Sequence, residues 1–225
     1  MNFKDKELIL FDLDGTLIDS APDLALAVNH TLDALNRSTF DENIIRSWVG
    51  NGAQTLVKRA ISGKSEVDLN IDEDLFEDAL NIFLNFYKNN LCVKTKTYPN
   101  VTSTIRTLQE RGYILAIVTN KPFDFIEPIL KGLELSDIFE LCLGGDSLTN
   151  RKPHHEPLCY ACEKLNISIN KSIMIGDSKN DILAAKAAKM DSIGVSYGYN
   201  YGEDIEIYKP DVVVDNFGAI LKRFI

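Results

Sequence analysis

The feature that most constrains this chain is an apolar run that ends directly in two aspartates. Residues 8–11 are apolar at every position, and Asp12, Asp14 and Gly15 follow them closely. A run without alternation predicts a strand buried on both faces, as in parallel sheets, and such sheets bind ligands at the carboxyl ends of their strands. Because Gly15 lets the chain turn sharply, both carboxylates can face one small space. We therefore expect a ligand site here.

Apolar runs of this kind recur and alternate with helical patterns. They predict strands at residues 7–11, 113–118, 139–143, 172–175, 192–196 and 211–214. Helical patterns lie between them, near residues 101–111, 122–132, 155–166, 179–189 and 216–224. Strict alternation of strands and helices indicates an α/β fold with a parallel sheet that is covered on both faces.

One segment interrupts this alternation. Residues 20–90 contain no convincing strand but several helical stripes, the first of which begins with a capping pattern at Ser20. A chain of 225 residues can bury one good core and a smaller second unit. We therefore predict a core of residues 1–18 and 92–225, with a small helical domain of residues 19–91 inserted over the carboxyl edge of its sheet.

Polar side chains follow the predicted strands, at ends that a parallel sheet brings to one edge. Besides the first two aspartates, they are Thr119, Asn120, Lys121, Lys152, Asp177 and Asp181. Clustered carboxylates need a counter-cation, and an oxygen-only ligand set with few side chains suits Mg²⁺. Such a site is equipped for a phosphoryl group, which an ionised aspartate can attack. A calcium loop of the EF-hand type is disfavoured. An EF-hand loop has its glycine at the sixth position and follows a helix, whereas here the glycine is fourth and a predicted strand comes before it.

Charge and hydropathy exclude other classes of protein. The net charge of −9 and the pI near 4.9 argue against a nucleic-acid partner. No apolar run approaches the ~20 residues that span a bilayer, and the amino terminus carries no signal-peptide pattern. We therefore expect a cytoplasmic protein with no membrane partner.

The four cysteines are Cys92, Cys142, Cys159 and Cys162. They are too few for a disulfide framework and indicate reduced thiols. Cys159 and Cys162 form a C-x-x-C pattern behind His154 and His155, which is compatible with zinc or redox chemistry. However, the pattern falls in a predicted helix, and no second C-x-x-C completes a zinc site of four ligands. We favour a packing role for both cysteines.

Together the strand-end motifs resemble those of the haloacid dehalogenase superfamily, in the same order and over nearly the whole chain. The matching stretches are Asp12-Leu13-Asp14-Gly15-Thr16, Thr119-Asn120, Lys152 and Gly176-Asp177-Ser178-Lys179-Asn180-Asp181. The resemblance implies a Rossmann-like core, a helical cap and catalysis through an aspartyl-phosphate.

The same resemblance implies a role for each motif. Asp12 is the expected nucleophile and Asp14 the general acid/base. Thr119 and its neighbour Asn120 are expected to bind phosphate, and Lys152 to steady both the nucleophile and the phosphoryl oxygens. The expected Mg²⁺ ligands are the Asp12 side chain, the Asp14 backbone carbonyl and Asp177, with Asp181 supporting the metal site without coordinating the ion.

Further stretches resemble the phosphoglycolate phosphatase family within this superfamily. They are Asp19-Ser20-Ala21-Pro22-Asp23-Leu24, Val49-Gly50-Asn51-Gly52, Gly144-Gly145-Asp146-Ser147 and Gly198-Tyr199-Asn200-Tyr201-Gly202. The resemblance implies hydrolysis of a small phosphorylated metabolite, 2-phosphoglycolate, to glycolate and phosphate. Two departures are His155, where the family usually has proline after the first histidine, and Lys189, where glycine commonly ends a helix.

The glycine loop of Gly50, Asn51 and Gly52 has two interpretations. It precedes a helical pattern that contains Lys58 and Arg59, and free N–H groups at a helix start can bind an anion such as a substrate carboxylate. On spacing alone, a plain turn between two helices fits equally well. The resemblance favours substrate binding.

Several alternatives stay open at this point. On the same core, the substrate could be pyrophosphate or a sugar phosphate, or the enzyme could be a phosphomutase. A non-catalytic regulatory or binding protein is disfavoured, because all the matched acids and the lysine are present. Monomer and homodimer are both compatible with the sequence.

Overall fold

The computed structural model describes the whole chain, Met1–Ile225. Its strands are β1 (Leu8–Phe11), β2 (Ile18–Asp19), β3 (Lys96–Thr97), β4 (Ile114–Val118), β5 (Leu141–Leu143), β6 (Ser172–Gly176), β7 (Asp191–Val195) and β8 (Val212–Val214). Its α-helices are α1 (Ala21–Ala34), α2 (Glu42–Arg46), α3 (Ala53–Ser62), α4 (Glu73–Lys88), α5 (Val101–Glu110), α6 (Ile126–Gly132), α7 (Glu156–Lys164) and α8 (Lys179–Ala188). No helix combines the length and the apolar character that crossing a bilayer requires.

The main sheet is parallel and has the strand order β5-β4-β1-β6-β7-β8. β1 is central, with Phe11 in register with Ile117 of β4 and Ile175 of β6. Successive side chains of a strand point to opposite faces. Accordingly, Phe11 joins the larger hydrophobic cluster and Leu10 the smaller one on the other face. The predicted α/β fold, with a parallel sheet covered on both sides, is confirmed.

The chain passes between this sheet and helices α1–α4 through a small antiparallel ribbon. In it β2 pairs with β3, so that Ile18 lies opposite Thr97. The sequence pattern did not predict this ribbon, because strands of two residues show no periodicity. Beside it, the buried carboxylate of Asp23 accepts hydrogen bonds of 2.7–3.0 Å from the N–H groups of Lys94 and Thr95 and from the Thr95 hydroxyl. This contact ties the first helix to the returning chain.

The C-x-x-C pattern lies on α7 and faces the protein interior. Cys162 is buried in the smaller hydrophobic cluster, and its thiol donates a hydrogen bond to the Ser172 hydroxyl. Cys159 packs against the same cluster. The predicted packing role of both cysteines is confirmed.

The last predicted helix and the end of α8 differ from the usual α-helical pattern. The last predicted helix is a 3-10 helix, Phe217–Arg223, whose start is capped by the Asn216 side chain. Tight turns of this kind are frequent in short segments. Lys189, directly after α8, has a left-handed φ of 57°, and the Met190 N–H donates a hydrogen bond to the Ala185 carbonyl. Lys189 therefore occupies the position that glycine usually takes at a helix end.

Candidate active site

A cavity lies where the carboxyl ends of β1, β4 and β6 face the helices of the segment 19–91, which we term the helical insert. Its lining includes most of the residues that the sequence motifs predict, namely Asp12, Asp14, Gly50, Gly52, Thr119, Asn120, Lys152 and Asp181. Two predicted residues do not line it. Asp177 lies buried within the acidic cluster behind Asp12, and Asn51 is half-buried in the glycine loop.

The acidic cluster consists of Asp12, Asp177 and Asp181. One carboxylate oxygen of each lies within 4.8 Å of the others, and all three residues are buried. Burial, with further repulsion from neighbouring carboxylates, raises the pKa of Asp12 to about 6 and that of Asp177 to about 8. The cluster therefore has an excess of negative charge that a proton or a cation must balance.

Lys152 supplies part of that balance from the loop after β5. Its ammonium lies 2.5 Å from Asp181 Oδ1 and 3.1 Å from Asp12 Oδ1, and its side chain is only 2% exposed. Burial alone would lower the pKa of Lys152, but attraction to Asp12 and Asp181 outweighs burial and raises it. Lys152 thus stays charged and holds the two carboxylates at fixed positions.

A divalent metal ion fits the remaining oxygens. Asp12 Oδ1 is buried and, apart from its ion pair with Lys152, has no hydrogen-bond partner. Buried carboxylate oxygens are hard, acceptor-only ligands of the kind that Mg²⁺ and Ca²⁺ prefer. The cluster of Asp12, Asp177 and Asp181 can therefore hold such an ion.

Asp177 is held in place by hydrogen bonds from two directions. It accepts one from the Thr16 hydroxyl at 2.9 Å and one from the Tyr199 N–H at 2.7 Å. Gly15, with a φ of 88°, approaches so closely that an added Cβ would overlap the Asp177 carboxylate. The glycine of the first motif is therefore required both for the turn and for the room that Asp177 occupies.

Asp181 is fixed by the start of α8. Its Oδ2 accepts hydrogen bonds from the N–H and the hydroxyl of Ser178, in a capping box at the helix amino end. Its Oδ1 remains directed at Lys152. One side chain thus caps the helix and orients the lysine.

Asp14 has a different set of neighbours, which no sequence motif indicates. Both its oxygens lie within 3.1 Å of the ammonium of Lys121, which in turn donates to the Tyr87 hydroxyl of α4 at 2.7 Å. The Ser20 hydroxyl donates to Asp14 at 2.5 Å. The signal for Lys121 was its place directly after Thr119-Asn120, but Tyr87 carried no local motif. The site therefore holds a second lysine, on the side of the helical insert.

The glycine loop of the helical insert docks on the strand ends. The Gly50 carbonyl accepts hydrogen bonds from the side-chain amides of Asn120 and Asn180, at 3.1 and 3.0 Å. Of the two basic residues nearby, Arg59 donates to the Trp48 carbonyl and Lys58 lies over the ring of Phe76. Neither lines the cavity. The loop therefore contacts the phosphate-binding candidates through its backbone.

Gly52 offers a direct test of this docking. Its φ is 83°, and an added Cβ would lie 2.9 Å from the Asn120 backbone carbonyl, which cannot move aside. We expect Gly52→Ala to displace the loop and lower kcat/KM by about tenfold or more, since small misplacements in an active site are costly. Steady-state kinetics with a small phosphate ester measure this effect.

Gly63→Ala is the matched control. Gly63 lies at the other end of α3 with a φ of 69°, and its added Cβ would only touch Phe40 at 3.4 Å. Gly63→Ala should lose about 1–2 kcal/mol of stability from its left-handed backbone, without loss of kcat/KM. Equal kinetic effects of both variants would contradict a specific role for the docked loop.

Comparison with known proteins establishes the class of this protein. A family model described as haloacid dehalogenase-like hydrolase matches residues 9–195. The chain belongs to this family, as the strand-end motifs predicted.

Closer relatives carry a more specific name. The chain is 54% identical to a phosphoglycolate phosphatase of Colwellia psychrerythraea (strain 34H), with 98% of each chain covered. It is 43% identical to a phosphoglycolate phosphatase of Haemophilus influenzae (strain 86-028NP), with 96% of each covered. It is also similar to the crystal structure of a predicted phosphoglycolate phosphatase from Haemophilus somnus 129PT, with a TM-score of 0.91, 42% identity and 97% of each chain covered.

Proposed function

We propose that this protein is a Mg²⁺-dependent phosphatase of the cytoplasm that hydrolyses 2-phosphoglycolate to glycolate and phosphate. The observation that carries the proposal is the buried cluster of Asp12, Asp177 and Asp181 against Lys152, at the floor of a small cavity. The name shared by relatives at 43–54% identity supports the choice of substrate.

In the first step Asp12 is the nucleophile. A carboxylate oxygen of Asp12 forms a bond to phosphorus, the bond from phosphorus to the ester oxygen breaks, and Asp14 donates a proton to the departing glycolate oxygen. Lys152 holds Asp12 and faces the phosphoryl oxygens together with Thr119 and Asn120. The positions of these groups on one cavity wall support this assignment.

In the second step water hydrolyses the aspartyl-phosphate. Asp14 now accepts a proton from the water, whose oxygen bonds to phosphorus while the bond from phosphorus to Asp12 breaks. Phosphate is released and both aspartates return to their starting states. A Mg²⁺ ion held by the Asp12 side chain, the Asp14 backbone carbonyl and Asp177, with Asp181 in support, would neutralise negative charge on the phosphoryl group.

We also propose that residues 19–91 act as a cap on a core of residues 1–18 and 92–225. The contacts of Gly50 with Asn120 and Asn180 support this division of labour, because they bring the insert over the proposed phosphate site. A cap excludes water and limits substrate size. The glycine loop of Gly50, Asn51 and Gly52 is its proposed substrate-binding element.

A screen of small phosphate esters with Mg²⁺ tests the proposed function. We expect 2-phosphoglycolate to have the highest kcat/KM, and EDTA to remove the activity. A higher kcat/KM for pyrophosphate or a sugar phosphate would overturn the substrate, and net transfer of phosphate within a sugar would indicate a mutase. No turnover of any ester would indicate a non-catalytic protein.

A further inference from the structure

Lys121 is one of only two cationic side chains that line the cavity, the other being Lys152. Lys152 is paired with Asp12 and Asp181 at the floor, where the phosphoryl group is proposed to bind. The Lys121 ammonium instead bridges Asp14 of the core and Tyr87 of the helical insert. Its side chain is 2% exposed, so this charge is buried at the boundary between the two parts.

The surroundings of Lys121 indicate which part of a substrate it meets. Asp14 is the proposed proton donor to the leaving group, so a cation in contact with Asp14 lies beside the leaving group rather than the phosphoryl group. The apolar part of the cavity lining belongs mainly to the insert, with Leu24, Leu56 and Phe83 among its members. A leaving group in this part of the cavity therefore meets one cation within an apolar enclosure.

The ammonium can also release a contact to a ligand. At present its three N–H donors are taken by the two oxygens of Asp14 and by the Tyr87 hydroxyl. To reach the ester oxygen, Asp14 must turn one oxygen away from Lys121. The ammonium then has one buried N–H without an acceptor, and an unsatisfied buried donor is costly, so a ligand acceptor is favoured at this position.

We propose that Lys121 binds a carboxylate on the leaving group and thereby selects phosphate esters of small hydroxy acids. The inference rests on the proposed function and deepens it by assigning substrate selection to a core residue. The amino end of α3, beside Gly52, is a competing location for the same carboxylate. It offers only backbone N–H groups, whereas Lys121 offers a full charge that is enclosed and 3 Å from the proposed proton donor.

A matched pair of substrates isolates this role. 2-Phosphoglycolate and its carboxamide, 2-phosphoglycolamide, have the same size but differ by one negative charge. For the wild type we expect a higher kcat/KM with the acid. In Lys121→Met, which keeps the length of the side chain but not its charge, the acid-to-amide ratio should fall by about tenfold or more. Lys121→Arg should retain a preference for the acid.

Thermal unfolding of each variant is the control that shows whether it is folded. If Lys121→Met does not fold, Lys121→Gln carries the same expectation, because it keeps a hydrogen-bond donor for Asp14 without the charge. An equal fall for acid and amide would overturn the inference, since Lys121 would then only position Asp14. An unchanged ratio in a folded variant would also overturn it and direct attention to the amino end of α3.

The outcomes also separate this inference from the proposed function. If the wild type prefers another ester of a hydroxy acid to 2-phosphoglycolate, the proposed substrate is wrong, and Lys121 is tested on that ester and its amide. If the wild type prefers 2-phosphoglycolate but Lys121→Met keeps the acid-to-amide ratio, the function stands and the assignment of Lys121 fails.

Discussion

Asp12→Asn is expected to lower kcat by at least about 10⁴-fold while leaving the fold intact, because the amide cannot form the acyl-phosphate bond. The substitution keeps the shape of the side chain and removes one of three buried negative charges. Because Lys152 keeps its contact with Asp181 and repulsion within the acidic cluster falls, the variant should unfold at a temperature no lower than that of the metal-free wild type. Kinetics with 2-phosphoglycolate and thermal unfolding measure the two effects.

A chemical readout distinguishes loss of the nucleophile from a general disturbance. Acid quenching of the wild type during turnover of radiolabelled substrate should leave labelled phosphate on a peptide that contains Asp12. The same label should be absent from Asp12→Asn. Asp78→Asn, on the exposed surface of α4, is the control and should behave like the wild type. Label on another residue, or substantial turnover by Asp12→Asn, would show that the nucleophile is misassigned.

Asp177→Asn is expected to act in opposite directions on activity and on stability. It should abolish Mg²⁺-dependent turnover, because it removes a proposed metal ligand. Without metal it should stabilise the protein at pH 8 by about 1–3 kcal/mol, since it relieves repulsion in the acidic cluster. Asparagine can keep both present contacts, because the Thr16 hydroxyl can reverse its hydrogen bond.

The pH dependence of stability follows from the raised pKa of Asp177, about 8 in the folded protein against an ordinary value of 3.8. Between these values the folded state binds more protons than the unfolded state, so stability falls as the pH rises. The unfolding temperature of the metal-free wild type should therefore fall between about pH 4 and pH 8, by about 2–4 °C for each kcal/mol of unfolding free energy that is lost. The unfolding temperature of Asp177→Asn should change less with pH over the same range.

Thermal unfolding in EDTA across this pH range provides the measurement, and repetition with Mg²⁺ provides the complement. Mg²⁺ should raise the unfolding temperature of the wild type most strongly at high pH, where the carboxylates are ionised. It should change the unfolding temperature of Asp177→Asn little. The exposed Asp215→Asn serves as the charge-matched control and should follow the wild type. A metal-free Asp177→Asn protein less stable than the wild type at pH 8 would contradict the proposed electrostatic strain.

The strands of the sheet could be predicted from local apolar runs. The grouping of the acids could be predicted because the carboxyl ends of parallel strands lie at one edge of a sheet. The run at residues 8–11 shows burial on both faces, and parallel strands bring Asp12 and Asp177 to one edge. Lys152 could be placed at this edge because it follows a predicted strand, but its contact with Asp12 followed only from the resemblance, since a lysine in a loop carries no local sign that it is buried.

The contacts between the insert and the core could not be predicted in this way. Tyr87 reads as one more member of an apolar helix stripe, and only the packing of α4 against the core shows that its hydroxyl meets Lys121. The same holds for the Gly50 carbonyl, whose partners Asn120 and Asn180 are distant in sequence. Such contacts depend on how the helices of the insert pack on the sheet, which no local pattern encodes.

The ribbon of β2 and β3 determines how those contacts can be made and broken. Both connections to the insert run side by side through it, and Asp23 fastens one to the other. Two adjacent connections at one edge favour rotation of the insert about a single axis over sliding. Such a rotation would make or break the contacts of Gly50 and Tyr87 together, so the proposed phosphate and leaving-group ends of the cavity would close at the same time.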